Sequence, residues 1–149
     1  MNDKLSRRRM AGFTLIEMMC ALALIGILAS IAYPGYQSIA QRTRRADALV
    51  SLMKVQMAQE RYRADHTSYG SLDDIRVAAT SLSGYYTLTM AAASESGYEV
   101  RASATRSQAS DAGCRHLKLL VDGGNIVQAS GADTAFANNP AVNRKCWGV

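Results

Sequence analysis

The first feature of the hydrophobic pattern is one long apolar run, residues 13–33, in which Glu17 is the single charged residue. An apolar helix of about 20 residues matches the ~30 Å hydrocarbon core of a bilayer. A secretory signal peptide has a shorter apolar region that ends in a small-residue cleavage site, whereas here the small residue Gly12 precedes the run. The run therefore predicts a membrane-spanning helix, and a plain membrane anchor remains an alternative.

Beyond that run, apolar residues recur at spacings of three and four, which is the periodicity of one helical face. Pro34 and Gly35 would suggest a turn in a soluble protein, but a helix that starts in a membrane can continue through a proline with a kink. We expect one continuous helix, kinked at these two residues, that ends near Asp65. The apolar positions of its second half are Tyr36, Ile39, Ala46, Leu49, Val50, Met53 and Met57.

The rest of the chain alternates between apolar and polar residues, as half-buried strands do. A turn-rich connecting loop at residues 67–84 comes first, and Asp122-Gly123-Gly124 is a strong hairpin turn between the last two alternating runs. The pattern predicts about four antiparallel strands. They cover residues 85–90, 97–104, 116–121 and 125–129.

A sheet of this kind has one apolar face that must be covered. The amphipathic half of the long helix can cover it, whereas the apolar half is not needed for that purpose. The sequence therefore predicts an α+β fold. Its parts are a long N-terminal helix with a protruding apolar half, an amphipathic half packed on a roughly four-stranded antiparallel sheet, and a C-terminal loop.

Charge changes this picture little once its location is considered. The chain carries 17 Lys and Arg against 12 Asp and Glu, a formal net charge of +5, which in general suggests nucleic acid or an acidic membrane as partner. Residues 1–12 hold more than half of that excess, and Arg7, Arg8 and Arg9 directly flank the apolar run. A basic flank on that side predicts a cytoplasmic N-terminus. Composition alone therefore gives little reason to expect nucleic acid.

No group of residues indicates catalysis or a metal centre. The two histidines, His66 and His116, have no Cys or Asp at nucleophile or metal-ligand spacing. Gly123 and Gly124 suit a turn and do not form a phosphate-binding loop. We therefore expect no enzyme, no metal site and no cofactor.

A motif at the start of the apolar run resembles a known signature. Residues 12–17, GFTLIE, follow a basic leader and open an apolar helix, and this order is similar to the processing signature of type IV prepilins. The resemblance implies that a prepilin peptidase cleaves between Gly12 and Phe13 and methylates the new amine of Phe13. It divides the chain into a cleaved leader, 1–12, a transmembrane and filament-core helix, 13–33, and a periplasmic pilin domain, 34–149.

The resemblance also implies a role for Glu17. A carboxylate four residues into a membrane span is disfavoured unless it has a partner or a function. In a growing filament, Glu17 of an incoming subunit would neutralise the Phe13 amine of a neighbour. Because a buried charge left unpaired is costly, this pairing would favour the correct axial register. Glu17 would thus serve assembly rather than catalysis.

Two cysteines are placed to hold the C-terminal segment. Residues 130–145 contain few large apolar residues and would fray unless tied down, and Cys114 and Cys146 bracket them. A disulfide is compatible with a periplasmic location, and two unpaired core cysteines are the alternative. The ending Cys146-Trp147 resembles that of PilE-type minor pilins.

These observations favour a structural subunit of a type IV pilus, a minor pilin that acts in twitching motility, adhesion or DNA uptake. Its implied partners are other pilin subunits, the prepilin peptidase, an inner-membrane assembly platform and, before assembly, the membrane itself. It would cross the inner membrane once and become extracellular in the pilus. One alternative is a type II secretion pseudopilin, which shares the leader and Glu17 but usually lacks the cysteine pair. The other is a DNA-binding competence pilin, for which the scattered cations show no basic stripe.

Overall fold

The computed structural model describes residues 12–149, and a single helix, α1, runs through Leu15–Asp65 for 51 residues. The predicted continuous helix and its end at Asp65 are confirmed. Pro34 lies inside it, where it removes one backbone hydrogen bond, while the kink at this point stays a prediction. All of the predicted leader except Gly12 lies outside the described residues.

Two compact units share the chain, and the first ends at Ser38. Every residue from Gly12 to Ser38 is exposed. An 18-residue window of α1 reaches a mean hydropathy of 2.3, and α1 is the one helix in the described part of the chain that is long and apolar enough to cross a membrane. A helix that is apolar all round is stable only within lipid or among other apolar helices.

The second unit, Ile39–Val149, contains a four-stranded antiparallel sheet. Its strands, which neighbour one another in chain order, are β1, Tyr86–Ala93; β2, Gly97–Ala104; β3, His116–Asp122; and β4, Asn125–Gly131. All four predicted strands are present, and β1 continues three residues further than the alternation predicts. A register shift between Met90 and Ala92 explains the difference, because a bulge breaks the alternation of the sequence while the pairing continues.

The second half of α1 covers one face of this sheet, as predicted. Ala48, Leu52 and Val55 are each at most 1% exposed, and their spacing places them on one side of the helix. They share one apolar core with alternate residues of the strands. The strand residues of that core are Tyr86, Leu88, Tyr98, Val100, Ala102, Leu117, Leu119 and Val121.

The face of α1 that packs on the sheet differs from the one that the apolar spacing indicates. Val50, Met53 and Met57 are 59–60% exposed, so the more apolar stripe does not form the core. The packed face instead contains buried polar residues with their own partners. The Gln59 side chain, for example, donates to the Gly70 carbonyl at 2.6 Å and accepts from the Gly70 N–H at 3.0 Å. Satisfied polar groups can be buried at little cost, and hydrophobicity alone does not detect them.

The C-terminal segment includes a short helix, α2, at Pro140–Trp147, where the sequence predicts a loop. The Asn139 side chain caps it by accepting from the Val142 N–H at 3.0 Å, and Gly148 ends it with φ of 73°. Asn before Pro at the start of a helix and Gly after its end are standard boundary signals. These signals are present in the sequence and could have identified α2.

The predicted disulfide between Cys114 and Cys146 is confirmed, with the two Cα atoms 5.4 Å apart. It joins α2 to the second of two short 3₁₀ helices, Arg106–Ser110 and Ala112–Cys114, that connect β2 to β3. Trp147 is buried beside it and donates from Nε1 to the Ala129 carbonyl at 3.2 Å. The disulfide therefore fixes the C-terminal helix against the end of the sheet.

Candidate functional site

The N-terminal motif forms the start of α1. The Glu17 N–H donates to Thr14 Oγ1 at 3.3 Å, and the Met18 N–H donates to the Thr14 carbonyl at 3.2 Å. Thr14 is thus the N-cap, and a Thr followed three residues later by Glu is the sequence signature of a capped helix start. Hydrophobic spacing alone does not reveal this signal. Phe13 directly precedes this N-cap, so an amine at Phe13 would lie two residues before Leu15, the first residue of α1.

Glu17 lies among exposed apolar side chains in the first turn of α1. Phe13 is 79% exposed, Leu15 81% and Ile16 67%. No ion pair involves Glu17 within residues 12–149. The described residues therefore place a carboxylate on an apolar helix surface without supplying a countercharge for it.

A second candidate site appears only in the folded chain. Three segments that are distant in sequence meet: residues 41–45 of α1, residues 106–115 between β2 and β3, and residues 144–145 of α2. Arg44 Nη1 donates to Ser107 Oγ at 3.0 Å, Gln41 Nε2 donates to Ser110 Oγ at 3.2 Å, and Arg45 Nη1 donates to the Lys145 carbonyl at 3.3 Å.

A buried ion pair holds these three segments together. Arg45 donates to both carboxylate oxygens of Asp111, from Nε at 2.6 Å and from Nη2 at 2.9 Å. Gln108 Nε2 donates to Asp111 Oδ2 at 3.0 Å and to Tyr86 Oη at 3.1 Å. Burial raises the pKa of Tyr86 to about 12, and the hydrogen bond from Gln108 opposes that shift. The bidentate geometry and the added hydrogen bonds are what a buried ion pair needs in order to be tolerated.

The three segments concentrate positive charge. They hold seven of the thirteen basic residues in residues 12–149 and only one of the eleven acidic ones. Because Asp111 neutralises Arg45, a net +6 remains there, and the other described residues carry −4. We call the six uncompensated residues the basic cluster. They are Arg42, Arg44, Arg106, Arg115, Arg144 and Lys145.

The basic cluster brings together cations that are scattered along the sequence. Linear spacing could not reveal it, because Arg45 and Asp111, which join two of its segments, are 66 residues apart. Four members of the cluster are exposed, and Arg44 and Arg115 are half-buried. Asp111, the one carboxylate on these three segments, is paired with Arg45, so none of them is free to pair with the cluster.

Asp47 is the acidic residue of α1 nearest to the cluster, and its carboxylate is already engaged. It accepts from the Ser81 hydroxyl, from the Ser83 N–H at 3.0 Å and from the Tyr85 N–H at 3.3 Å. Burial acts to raise the pKa of Asp47, but these hydrogen bonds outweigh it and hold the pKa below its ordinary value. Asp47 thus fastens α1 to the loop before β1 as an ionised group.

Comparison with known proteins gives two family matches along the chain. Residues 7–33 match the prokaryotic N-terminal methylation motif, and residues 34–118 match the family described as type IV minor pilin ComP, DNA uptake sequence receptor. The motif and its apolar helix mark a protein that is anchored in a membrane before it enters a pilus.

Curated relatives support the same assignment. A fimbrial protein of Dichelobacter nodosus is 31% identical over 142 residues, which is 83% of this chain and 89% of that protein. The type IV major pilin PilA of Myxococcus xanthus is 38% identical over 61 residues, 41% of this chain and 28% of PilA. The type II secretion system core protein G of Aeromonas hydrophila is 29% identical over 65 residues, 44% of this chain and 46% of that protein.

The aligned part of this chain thus spans less than half the length of PilA and of protein G, but most of the Dichelobacter fimbrial protein. The minor pilin family covers more than half of the chain. The long helix on a four-stranded antiparallel sheet and the C-terminal disulfide agree with the family's expected fold. The chain therefore belongs to the type IV minor pilin family and is a structural subunit of a type IV pilus.

Proposed function

We propose that this minor pilin is cleaved between Gly12 and Phe13 and enters the pilus through a charge pair between Glu17 and the Phe13 amine of a neighbouring subunit. The observation that carries the proposal is the position of Glu17, a carboxylate without a described countercharge in the first turn of an apolar helix. The match to the N-terminal methylation motif supports the cleavage site.

The chemistry of this step follows from charge in an apolar medium. Cleavage converts the amide nitrogen of Phe13 into a cationic amine, and methylation leaves that charge in place. In a bundle of apolar helices a carboxylate and an amine are each costly alone, and leaving one of a buried pair without its partner costs about 3–5 kcal/mol. Only the axial register that brings Glu17 to a neighbour's amine avoids this cost.

The proposal also fixes the orientation before assembly. The basic flank at Arg7–Arg9 keeps the N-terminus in the cytoplasm, where the peptidase cuts, and places residues 34–149 in the periplasm. The Cys114–Cys146 disulfide supports this orientation, because disulfides form and persist in oxidising compartments such as the periplasm. An inner-membrane assembly platform would then extract the processed subunit into the filament.

The test compares Glu17→Gln with the parent chain in cells that form pili. We expect the variant to remain in the membrane and to be cleaved, but its content in sheared filaments should fall more than about tenfold, given the cost of an unpaired buried charge. Glu60→Gln is the matched control, since Glu60 is an exposed carboxylate on the same helix but outside the apolar run. Equal incorporation of Glu17→Gln and parent would contradict the proposal.

A second proposal is that the basic cluster binds DNA. The matching family is described as a DNA uptake sequence receptor, and the cluster supplies six cations with no free carboxylate on its segments. Lys and Arg side chains that replace the counterions of the phosphate backbone give most of the affinity of such an interface. The meeting of these three segments in the fold supports the proposal, because their cations are far apart in the sequence.

DNA binding can be tested on the full chain in detergent with a duplex probe at several salt concentrations. Arg42→Gln/Arg106→Gln/Arg144→Gln removes three exposed members of the cluster, and Lys54→Gln/Arg61→Gln/Arg76→Gln removes three exposed cations elsewhere. We expect only the first variant to bind weakly, with a salt slope smaller by about 0.9 for each phosphate that is no longer neutralised. Equally weak binding by both variants, or no binding by the parent chain at low salt, would refute a specific role of the cluster.

A further inference from the structure

An apolar groove lies beside α1 in the second unit. Val50, Met53 and Met57 form one side with more than half of each side chain exposed, and half-buried Ile75 forms the other. The groove encloses about 510 Å³. The sheet of the same molecule does not cover it, because the sheet packs on the opposite stripe of α1 at Ala48 and its neighbours. An apolar strip of this kind on a soluble domain marks an interaction surface.

The rim of the groove is cationic. Lys54, Arg61 and Arg76 line it and are exposed, and no carboxylate is among its lining residues. None of the three forms an ion pair within the part of the chain that the structure describes. The carboxylate of Asp74, which is close in sequence, is bound instead by the N–H and hydroxyl of Ser71 at 2.8 and 2.7 Å. The groove therefore suits an apolar segment that carries carboxylates.

The β3–β4 hairpin is a segment of this chain with that composition. Ile126 and Val127 are 52% and 49% exposed. Because neighbouring residues of a strand point to opposite faces of the sheet, both faces of β4 are exposed at this end. Asp122 opens the turn, and Gly123 and Gly124 both have positive φ, 53° and 84°. A turn with positive φ at both central residues favours glycine and connects the two strands of the hairpin by only two residues.

The surroundings of the hairpin are acidic. Residues 77–98 and 119–143 contain no Lys or Arg. The Gly123 N–H donates to the Ser96 carbonyl at 3.0 Å, which brings exposed Glu95 close to the turn that Asp122 opens. The hairpin thus combines exposed aliphatic side chains with uncompensated negative charge, the complement of the groove.

The two surfaces lie at opposite edges of the sheet. The segment that lines the groove leads directly to Thr80, which bridges to Thr87 of β1, and β1 and β4 are the two outer strands. One molecule cannot bring these surfaces together. A contact between them must join two molecules through different patches. Such a head-to-tail contact does not close into a symmetric dimer and continues from copy to copy, as a ring or as a filament.

We infer that the β3–β4 hairpin of one copy of this chain docks into the groove of a second copy, with Asp122 and Glu95 facing Lys54, Arg61 and Arg76. This contact rests on the proposed function as a pilus subunit, but it uses the globular domain and not the N-terminal helix. It would set the lateral spacing of subunits, while the Glu17 pair sets their axial register.

Disulfide trapping in pili tests the contact. Met57→Cys and Val127→Cys are introduced together into a Cys20→Ala chain, which is overproduced in cells that form pili, and filaments are oxidised and analysed without reductant. We expect a ladder of dimers and higher oligomers. In a second sample, chains that carry only Met57→Cys are mixed with chains that carry only Val127→Cys. Each molecule then offers one half of the contact, so we expect dimers of one chain of each kind and no higher oligomers.

The control replaces Val127→Cys by Thr89→Cys, which is also exposed on an outer strand but lies on the groove's own edge. A ladder in the control as strong as in the test pair, or filaments that contain the test chain without cross-links, would overturn the docking proposal and leave the Glu17 proposal intact. If cross-links formed to a different pilin and none formed between copies of this chain, the proposal that a second copy occupies the groove would be wrong. Absence of the parent chain from filaments would overturn both proposals.

A charge exchange provides an independent readout. Arg61→Glu and Asp122→Lys should each reduce the content of the chain in filaments, and the two together should restore it, because the pair is exchanged rather than removed. Failure of the double variant to recover, with both single variants folded, would count against the contact.

Discussion

At the scale of single residues, hydrogen bonds and ion pairs of individual polar side chains hold backbone segments of this molecule in place. Thr14 caps α1, the Gln59 amide holds the Gly70 backbone, and the Arg45–Asp111 pair joins segments 66 residues apart. Gly12, Phe13 and Glu17 could be proposed from a local motif. Arg45 and Asp111 could not, because nothing in the local sequence of either residue indicates the other.

The Asp47 carboxylate makes folding dependent on pH. Its pKa is lowered in the folded protein from an ordinary value of 3.8, so its contribution is fully present above that value and is lost as the pH falls through the lower folded pKa. Asp47→Asn should reduce the free energy of unfolding by about 1.5 kcal/mol near neutral pH, since it weakens hydrogen bonds to a charged group. The difference from the parent should shrink in acid.

The single tryptophan, Trp147, is buried and provides the fluorescence signal for these unfolding curves. Asp73→Asn is a suitable control, because Asp73 is an exposed carboxylate whose side chain accepts no hydrogen bond in the described structure. A stability difference between Asp47→Asn and parent that stays constant into acid would contradict the assigned role.

At the scale of elements, the sequence predicts more of the framework than of its contacts. The long helix, the four strands and the hairpin all follow from periodicity and turn residues. The face of α1 that packs on the sheet could not be predicted in this way, because two stripes of the helix have the spacing of three and four. The stripe that packs on the sheet is the one that contains small residues and hydrogen-bonded polar groups. The exposed stripe, with Val50 and Met53, is the apolar surface left for other molecules.

The disulfide should be the main support of α2. An eight-residue helix is marginal by itself, and closing a loop of this size contributes roughly 3–4 kcal/mol on the chain-entropy model. Cys114→Ala/Cys146→Ala should therefore lower the free energy of unfolding by that amount and expose Trp147, as measured by fluorescence during denaturation.

Cys20→Ala is the control for that measurement, because Cys20 is exposed on the apolar helix and unbonded. Reductant should destabilise the parent chain by the same amount and leave the Cys114→Ala/Cys146→Ala chain unchanged. Equal stability of the parent chain with and without reductant would contradict the assigned role of the disulfide.

At the scale of the whole molecule, charge is segregated in a way that composition conceals. A net +2 over residues 12–149 divides into +6 on the basic cluster and −4 elsewhere. The net charge could be counted from the sequence. Its division into a basic cluster and an acidic remainder could not, because α1, the β2–β3 connection and α2 come together only in the folded chain. The proposed DNA-binding surface and the proposed contact between copies both depend on this segregation of charge.

The central claim, that this chain is processed at Gly12 and built into a pilus, is tested most directly by mass spectrometry of sheared and purified filaments. The account predicts a chain that begins at Phe13, carries one methyl group on its N-terminal amine and retains the disulfide between Cys114 and Cys146. A chain that still carries residues 1–12 in the filament, or its absence from filaments while it accumulates in the membrane, would contradict the account.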